Sequence, residues 1–385
     1  MTPISTLINR LIATRTRPTL ALLAIVITLF AVASRADTPP GWINSENKSA
    51  YTTNNGELEI TIAGLVVNSG IDLLNVREDL FAGNQRLAGD SVDLAGTRLE
   101  VHYGITEWLA VFYQDQSQLM KIDLGEIGAV NVLNIDSSIG TKSRRMGFKW
   151  IFYARDLPGL RNPETAAALE IATFRSQSDD FEVIADAINL PDATVAFDDP
   201  RTIAVNDLQD SGWEARVLYS TTLSSGLVAS AWAGYRDAEA SSATGSNIPT
   251  ELLPESFNQA YRLDDSYWVL GASLNFNLGP RLPVVLGYEY FKRNDLSFSL
   301  DPPGLPEQVP GFLSADAMPD DSNLTLSGRV SWWLTPRLQV SMSTKYFSNQ
   351  FLGLIPHFNN PLSGSFSAEP YGYFGFGLGY SLRGL

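Results

Sequence analysis

Apolar and polar residues alternate with a period of two, connections take turns between short and long, and aromatic rings gather on the apolar phase. Together these three features predict an all-β chain: a transmembrane up-and-down antiparallel β-barrel of about twelve strands, with short periplasmic turns and long extracellular loops.

The first alternating run is Glu57–Val67, where Leu58, Ile60 and Ile62 alternate with Glu57, Glu59 and Thr61. In the next, Asp93–Tyr103, Leu99, Val101 and Tyr103 alternate with Arg98, Glu100 and His102; residues 104–108 then lead directly into Leu109–Gln114. Met146, Phe148, Trp150 and Phe152 alternate with Arg145, Gly147 and Lys149. Trp213, Ala215, Val217 and Tyr219 alternate with Glu214, Arg216 and Ser220. The pattern returns at Trp268–Leu278, Leu324–Trp332, Leu338–Tyr346 and Tyr371–Leu382, with weaker runs at 165–175, 227–237 and 284–293. Soluble sandwiches alternate too, so the connections carry more weight. Short joints at 104–108, 154–164, 224–226, 279–283 and 334–337 take turns with long ones near 68–92, 115–141, 177–211, 238–265, 297–322 and 348–369. Strict alternation of that kind puts both chain ends on one side and makes the strand number even. Trp150, Trp213, Trp268, Trp332, Tyr219, Tyr288, Tyr346 and Tyr380 fall on the apolar phase, as the aromatic girdles of a bilayer-spanning barrel do.

Ahead of the barrel, residues 1–36 carry Arg10, Arg15 and Arg17 before the apolar run Leu20–Ala33, and Ser34-Arg35-Ala36 places small residues where a signal peptidase cuts. The expected organisation is a cleavable secretory signal over 1–36, a short N-terminal periplasmic segment over 37–56 and an outer-membrane barrel over 57–385. With 42 acids against 27 bases and a formal charge of −15, the chain lacks the clustered cations that a phosphate backbone requires, which sets nucleic acid aside. The absence of cysteine excludes disulfides, thiolate metal sites and a cysteine nucleophile. Mean hydropathy is −0.02, as expected where half of each strand faces a polar interior.

Three segments resemble Gram-negative outer-membrane proteins in general: the signal peptide, the turn Tyr103–Leu109, and the closing strand Gly377-Leu378-Gly379-Tyr380-Ser381-Leu382. The last is similar to the signal read by the barrel-assembly machinery, although Arg383-Gly384-Leu385 follow it and the final residue is not Phe. The resemblance implies the cell outer membrane of a Gram-negative bacterium as location. It implies outer-membrane lipid, lipopolysaccharide and the assembly machinery as partners, and a porin-like or solute-transporter-like role. More loosely, the chain resembles barrels that carry small solutes or hydrophobic compounds.

The polar phase supplies the candidate pore-lining residues: Arg98, Glu100, His102, Arg145, Lys149, Glu214, Arg216, Arg236, Glu289, Arg293, Arg329 and Lys345, with Glu57, Glu59 and Glu170 on the same phase. Mixed charge across a narrow interior can orient a charged or dipolar solute, and it can equally pair with itself and close the barrel. The glycines Gly375, Gly377 and Gly379 line one face, which suits either a close approach by another segment or a bend at the seam. Residues 177–211 hold nine acids against Arg201 alone, with Asp179, Asp180, Glu182, Asp198 and Asp199 forming an acidic loop cluster. Such a cluster would gather cations at a pore mouth, and its carboxylates are of the type that bind Ca²⁺ or Mg²⁺, although no calcium-loop motif is present. No other cofactor is expected.

The expected function is therefore passive movement of small solutes, hydrophobic or charged, through a charge-lined channel. The alternatives are a lipid-directed outer-membrane enzyme of lipase or deacylase type, for which His102 and His357 are the only histidines, and a closed structural or adhesion barrel working through acidic loops. Neither histidine lies in a nucleophile motif, which weighs against the enzyme.

Overall fold

The computed structural model describes residues 49–68, 93–121, 126–127, 130–134, 138–155, 164–190, 193–224, 226–249, 260–279, 281–301, 322–348 and 371–383. The expected signal segment 1–36 lies outside the described residues, as does His357. In chain order the strands are β1 (Glu57–Asn68), β2 (Asp93–Gly104), β3 (Leu109–Lys121), β4 (Glu126–Ile127), β5 (Val130–Asn134), β6 (Ser138–Arg155), β7 (Thr165–Ser178), β8 (Phe181–Leu190), β9 (Ala193–Ser224), β10 (Leu227–Ser246), β11 (Ala260–Gly279), β12 (Leu282–Asp301), β13 (Ser322–Trp333), β14 (Leu338–Phe347) and β15 (Tyr371–Arg383).

Twelve of these strands close an antiparallel ring, β1-β2-β3-β6-β7-β9-β10-β11-β12-β13-β14-β15, with β15 returning to pair with β1 from Glu57↔Arg383 to Val66↔Phe374. Closure removes the unpaired edges that an open sheet would expose. The twelve wall strands coincide with the twelve alternating runs of the sequence. Tight links follow β2, β9, β11 and β13, and the long connections fall at the opposite end. We refer to these as the turn end and the loop end.

Alternation gives the wall two chemically distinct faces. Ile62, Met146, Trp150, Trp213, Trp268, Trp332, Phe376 and Leu378 are exposed on the outside, while Glu57, Arg98, Glu100, Lys149, Glu170, Glu214 and Arg329 are buried on the inside. An exposed apolar belt of this extent has no place in water, and it is the surface a bilayer covers. Its loop-end border is marked by Trp213, Tyr235 and Trp268 on adjacent strands, with ring centroids 5.8 and 5.3 Å apart. The two indole N–H groups donate to Asp237 and Asn294, each at 3.2 Å. An apolar ring body with a polar edge suits that boundary. From Trp213 to the turn at the end of β9 is about ten residues, the length a tilted strand needs to cross the hydrocarbon.

β9 is far longer than that, at 32 residues. Its second half, Gln209–Thr221, pairs with β7 as barrel wall, whereas its first half, Ala193–Val205, pairs with β8 beyond the loop-end rim. Strands β8, β5 and β4 extend this projecting sheet in that order, and β10, β11 and β12 continue upward beside it. This corrects the expectation that 177–211 is a loop. Asp179 and Asp180 form the link from β7 to β8, Glu182 lies on β8, and Asp198 and Asp199 lie on β9, all five exposed. Strand likewise replaces much of the expected connections 115–141 and 238–265, and extends β12 into 297–301.

The reason lies at Asp207. Its φ of 54° is left-handed, and the register between β9 and β10 shifts between Ser241 and Ala243. The extra residue reverses the parity of the strand. Inward residues are even below the bulge (Leu208, Asp210, Gly212) and odd above it (Val205, Ile203), so the buried apolar face continues unbroken while the sequence pattern appears to fail. Asp180 Oδ1 accepts the Asp207 backbone N–H at 2.9 Å and holds the bulge.

Candidate functional site: the barrel interior

The inward face carries a belt of ionised groups spread over β6, β7, β9, β10 and β12. Period-two alternation puts each of them inside, and the register brings them level: Lys149↔Glu170, Glu170↔Arg216 and Glu214↔Arg236 are directly opposed pairs. Arg145 bridges Glu170 and Glu214, and Lys149 lies 3.6 Å from Glu170. Arg216 donates through Nη2 to Glu214 and through Nη1 to Glu289, both at 2.9 Å. The indole N–H of Trp232 donates to the same Glu289 oxygen at 2.9 Å. Charges this buried are tolerable only when paired, and shared carboxylates link these into one network.

Elsewhere on the wall the remaining candidates find separate partners. Arg98 pairs with Glu100 at 3.0 Å and its Nη2 lies 3.4 Å from Ser343 Oγ on β14, so the side chain crosses both β1 and β15. The small residues between them, Ala63, Gly375 and Gly377, leave that crossing open, which gives the glycine stripe its structural use. Arg293 contacts both oxygens of Asp265, at 3.2 and 3.1 Å, and Asp265 also accepts from the Tyr267 hydroxyl. Arg329 Nε donates to Ser331 at 3.2 Å, and the Lys345 ammonium lies 4.9 Å from the Phe347 ring centroid. His102 packs against Phe112, ring centroids 6.0 Å apart, with Nε2 buried and without a hydrogen-bond partner. Arg236 stacks its guanidinium 3.8 Å from the Phe174 ring centroid.

All twelve candidate residues thus lie on the inward face. Seven of them (Arg145, Lys149, Glu214, Arg216, Glu289 and, beside them, Arg236 and Arg293) gather toward the β6–β12 side, whereas Arg98, Glu100, His102, Arg329 and Lys345 are dispersed. Asp265, Trp232, Tyr267, Phe112 and Phe174 complete the arrangement and were not singled out by sequence. Asp265 and Tyr267 share the parity of Gly271 and Ser273 on the same strand, so extending that run toward its N-terminal side would have found them.

The turn end of the interior is occupied. The expected periplasmic segment 37–56 is described from Ser49, and this part runs into the barrel, with Ala50 fully buried and Tyr51 nearly so. Lys149 Nζ donates to the Ser49 carbonyl at 2.8 Å, the Ala50 N–H donates to Ser220 Oγ at 2.8 Å, and the Tyr51 hydroxyl lies 3.3 Å from Thr222 Oγ1. Asn55 bridges to Gly104 in parallel, and Gly56 N–H donates to the Gly104 carbonyl at 2.8 Å, which fixes the point where the chain turns into β1. Among the described residues no group of three or more His, Asp or Glu side chains is placed to hold a metal ion.

Structural neighbours of the chain are outer-membrane β-barrels. The translocator domain of the autotransporter NalP from Neisseria meningitidis aligns with a TM-score of 0.48 at 9% identity, over 96% of this chain and 99% of that one. The Pseudomonas putida toluene transporter TodX aligns at 0.42 and 9% identity, over 91% and 97%. The NanC porin aligns at 0.42 and 8% identity, over 84% and 100%. Likeness this remote carries no function from those proteins to this chain. No protein-family profile matches the sequence. No curated protein matches it either.

Proposed function

We propose that the protein is an outer-membrane channel for passive movement of small solutes, its interior charges setting which solutes pass. The observation that carries this reading is the division of the wall into an exposed apolar, aromatic-rimmed outside and a charged inside, in a barrel closed over twelve strands. A twelve-strand ring is wide enough to leave a narrow channel beside side chains that fill part of it. In the same reading the N-terminal segment stands at the periplasmic mouth and restricts passage there. The location is the Gram-negative outer membrane, reached through the assembly machinery, with lipid and lipopolysaccharide around the belt. The exposed acids at the loop end, Asp179, Asp180, Glu182, Asp198 and Asp199, bias the approach toward cations.

Planar-bilayer recording from the refolded protein tests the proposal. Discrete conductance steps are expected. A membrane that takes up the protein yet never shows a step would sink the channel reading and leave a closed structural barrel, which the filled turn end favours as the second reading.

A further inference from the structure

We propose that Arg236 is the binding group of an interior subsite for a monoanionic carboxylate solute with an apolar body; this rests on the channel reading above and gives it a substrate class. The first support is the pairing pattern of the belt. Its cations are Arg145, Lys149, Arg216 and Arg236, and the carboxylates Glu170, Glu214 and Glu289 are each already committed to cations other than Arg236, while the further inward acid of β9, Asp210, stands four residues along the strand from the position opposite Arg236. Arg236 stands directly opposite Glu214 in register, yet that carboxylate is bonded by Arg145 and Arg216 instead. The next carboxylate along the wall, Asp265, is bonded by Arg293 and Tyr267. Among the described residues Arg236 makes no ion pair, and its Nε is buried without an acceptor. A guanidinium cannot shed its proton to relieve this, so Arg236 keeps a positive charge that, among the described residues, no carboxylate bonds.

The second support is how that side chain is held. Phe174 belongs to β7 and Arg236 to β10, with β9 between them. The Phe174 ring reaches across because position 212 is glycine: a Cβ there would come within 2.7 Å of the ring's Cζ. Held over an aromatic face, a guanidinium can keep edge donors available in the plane of the fork. A carboxylate matches that fork, and a single negative charge pairs the single guanidinium, whereas a dianion would leave an excess buried charge. Phe174, Tyr267 and Ala238 lie beside Arg236 as part of a buried apolar cluster, an environment that suits an aromatic or aliphatic body rather than a sugar.

Sodium benzoate is the probe, with benzyl alcohol as its neutral counterpart, titrated into the refolded full chain in detergent and followed by calorimetry. Benzoate should bind saturably and benzyl alcohol at least about tenfold more weakly. Arg236→Gln should weaken benzoate by at least about tenfold, as loss of one charge-assisted hydrogen bond does, while Arg236→Lys, which keeps the charge and loses the fork, should fall between. No saturable benzoate binding, equal affinity for the alcohol, or unchanged affinity in a folded Arg236→Gln protein overturns the proposal. If the Gln variant does not fold, unchanged affinity in Arg236→Lys overturns it. Conductance separates this from the parent reading. Benzoate binding through Arg236 without channel steps keeps the subsite and sinks the channel, and steps with Arg236-independent binding do the reverse.

Discussion

Replacing Glu289 by leucine should destabilise the folded barrel by about 3–5 kcal/mol, the range found when one partner of a buried ion pair is removed. Glu289 accepts one bond from Arg216 and one from the Trp232 indole, each at 2.9 Å, and the carboxylate is buried. A hydrogen bond to a charged group contributes about 1.5–3 kcal/mol, and a buried donor deprived of its acceptor costs about 1–3 kcal/mol. The two together give about 2.5–6 kcal/mol, which brackets the stated range. Both donors share one oxygen, so Glu289→Gln can still accept from both and loses the charge; it should cost about half as much. Urea unfolding of protein refolded into vesicles, followed by tryptophan fluorescence and extrapolated linearly, measures both. A leucine variant within about 1 kcal/mol of wild type, or equal costs for leucine and glutamine, would refute the network reading. The same substitution removes one carboxylate and no cation from the interior, so the reversal potential in a salt gradient should move toward anion selectivity.

Three further outcomes are expected. Leu378→Arg, on the exposed outer face of β15, should cost about 2–4 kcal/mol in the same vesicle titration if it sits near the bilayer centre, and Gln339→Arg on the inward phase should cost far less; equal costs would count against a lipid-facing outside. Asp207→Gly should be neutral or slightly stabilising and Asp207→Val should cost about 1–3 kcal/mol, because only the β-branched residue resists a φ of 54°. Deleting Ser49–Thr53 should raise single-channel conductance, since the segment occupies the turn-end mouth through Lys149 and Ser220; unchanged steps would show that it does not obstruct the path.

What the sequence revealed follows from the range of the interaction involved. Alternation is set residue by residue, so the twelve wall strands and the inward phase of Arg98, Arg145, Glu214 and Arg329 could be read locally. A single bulge defeats the same reading. With Asp207 and Leu208 together opposite Ser242, the apolar positions move from even to odd, and a strand of 32 residues looks like a short strand preceded by a polar loop. Partner choice is less legible still. Arg98 reaches Ser343 across 245 residues of sequence, and Lys149 finds the Ser49 carbonyl 100 residues away. Nothing local in the chain encodes either contact. They exist because closure brings β15 to β1, and because the chain enters its own barrel before starting the first strand.

The ring order also says where a solute would have room. Counting around the barrel, β10 stands opposite β1, so Arg236 faces the stretch of wall formed by β1, its neighbour β15, and β14 beyond it. There the inward positions include the small residues Thr61, Ala63, Ser341, Ser343, Gly375 and Gly377, along with Glu57, Leu65, Gln339 and Lys345. The linked ion-pair network lies on the β6–β12 side, whereas on this side the Arg98 side chain lies across the small residues of β1 and β15. A barrel serving only to be closed gains nothing from this asymmetry, because large apolar or paired side chains on every strand would fill the interior more completely. Small residues on one side thus face, among the described residues, an arginine without an ion pair on the other. An unpaired guanidinium opposite short side chains is what the proposed carboxylate subsite requires.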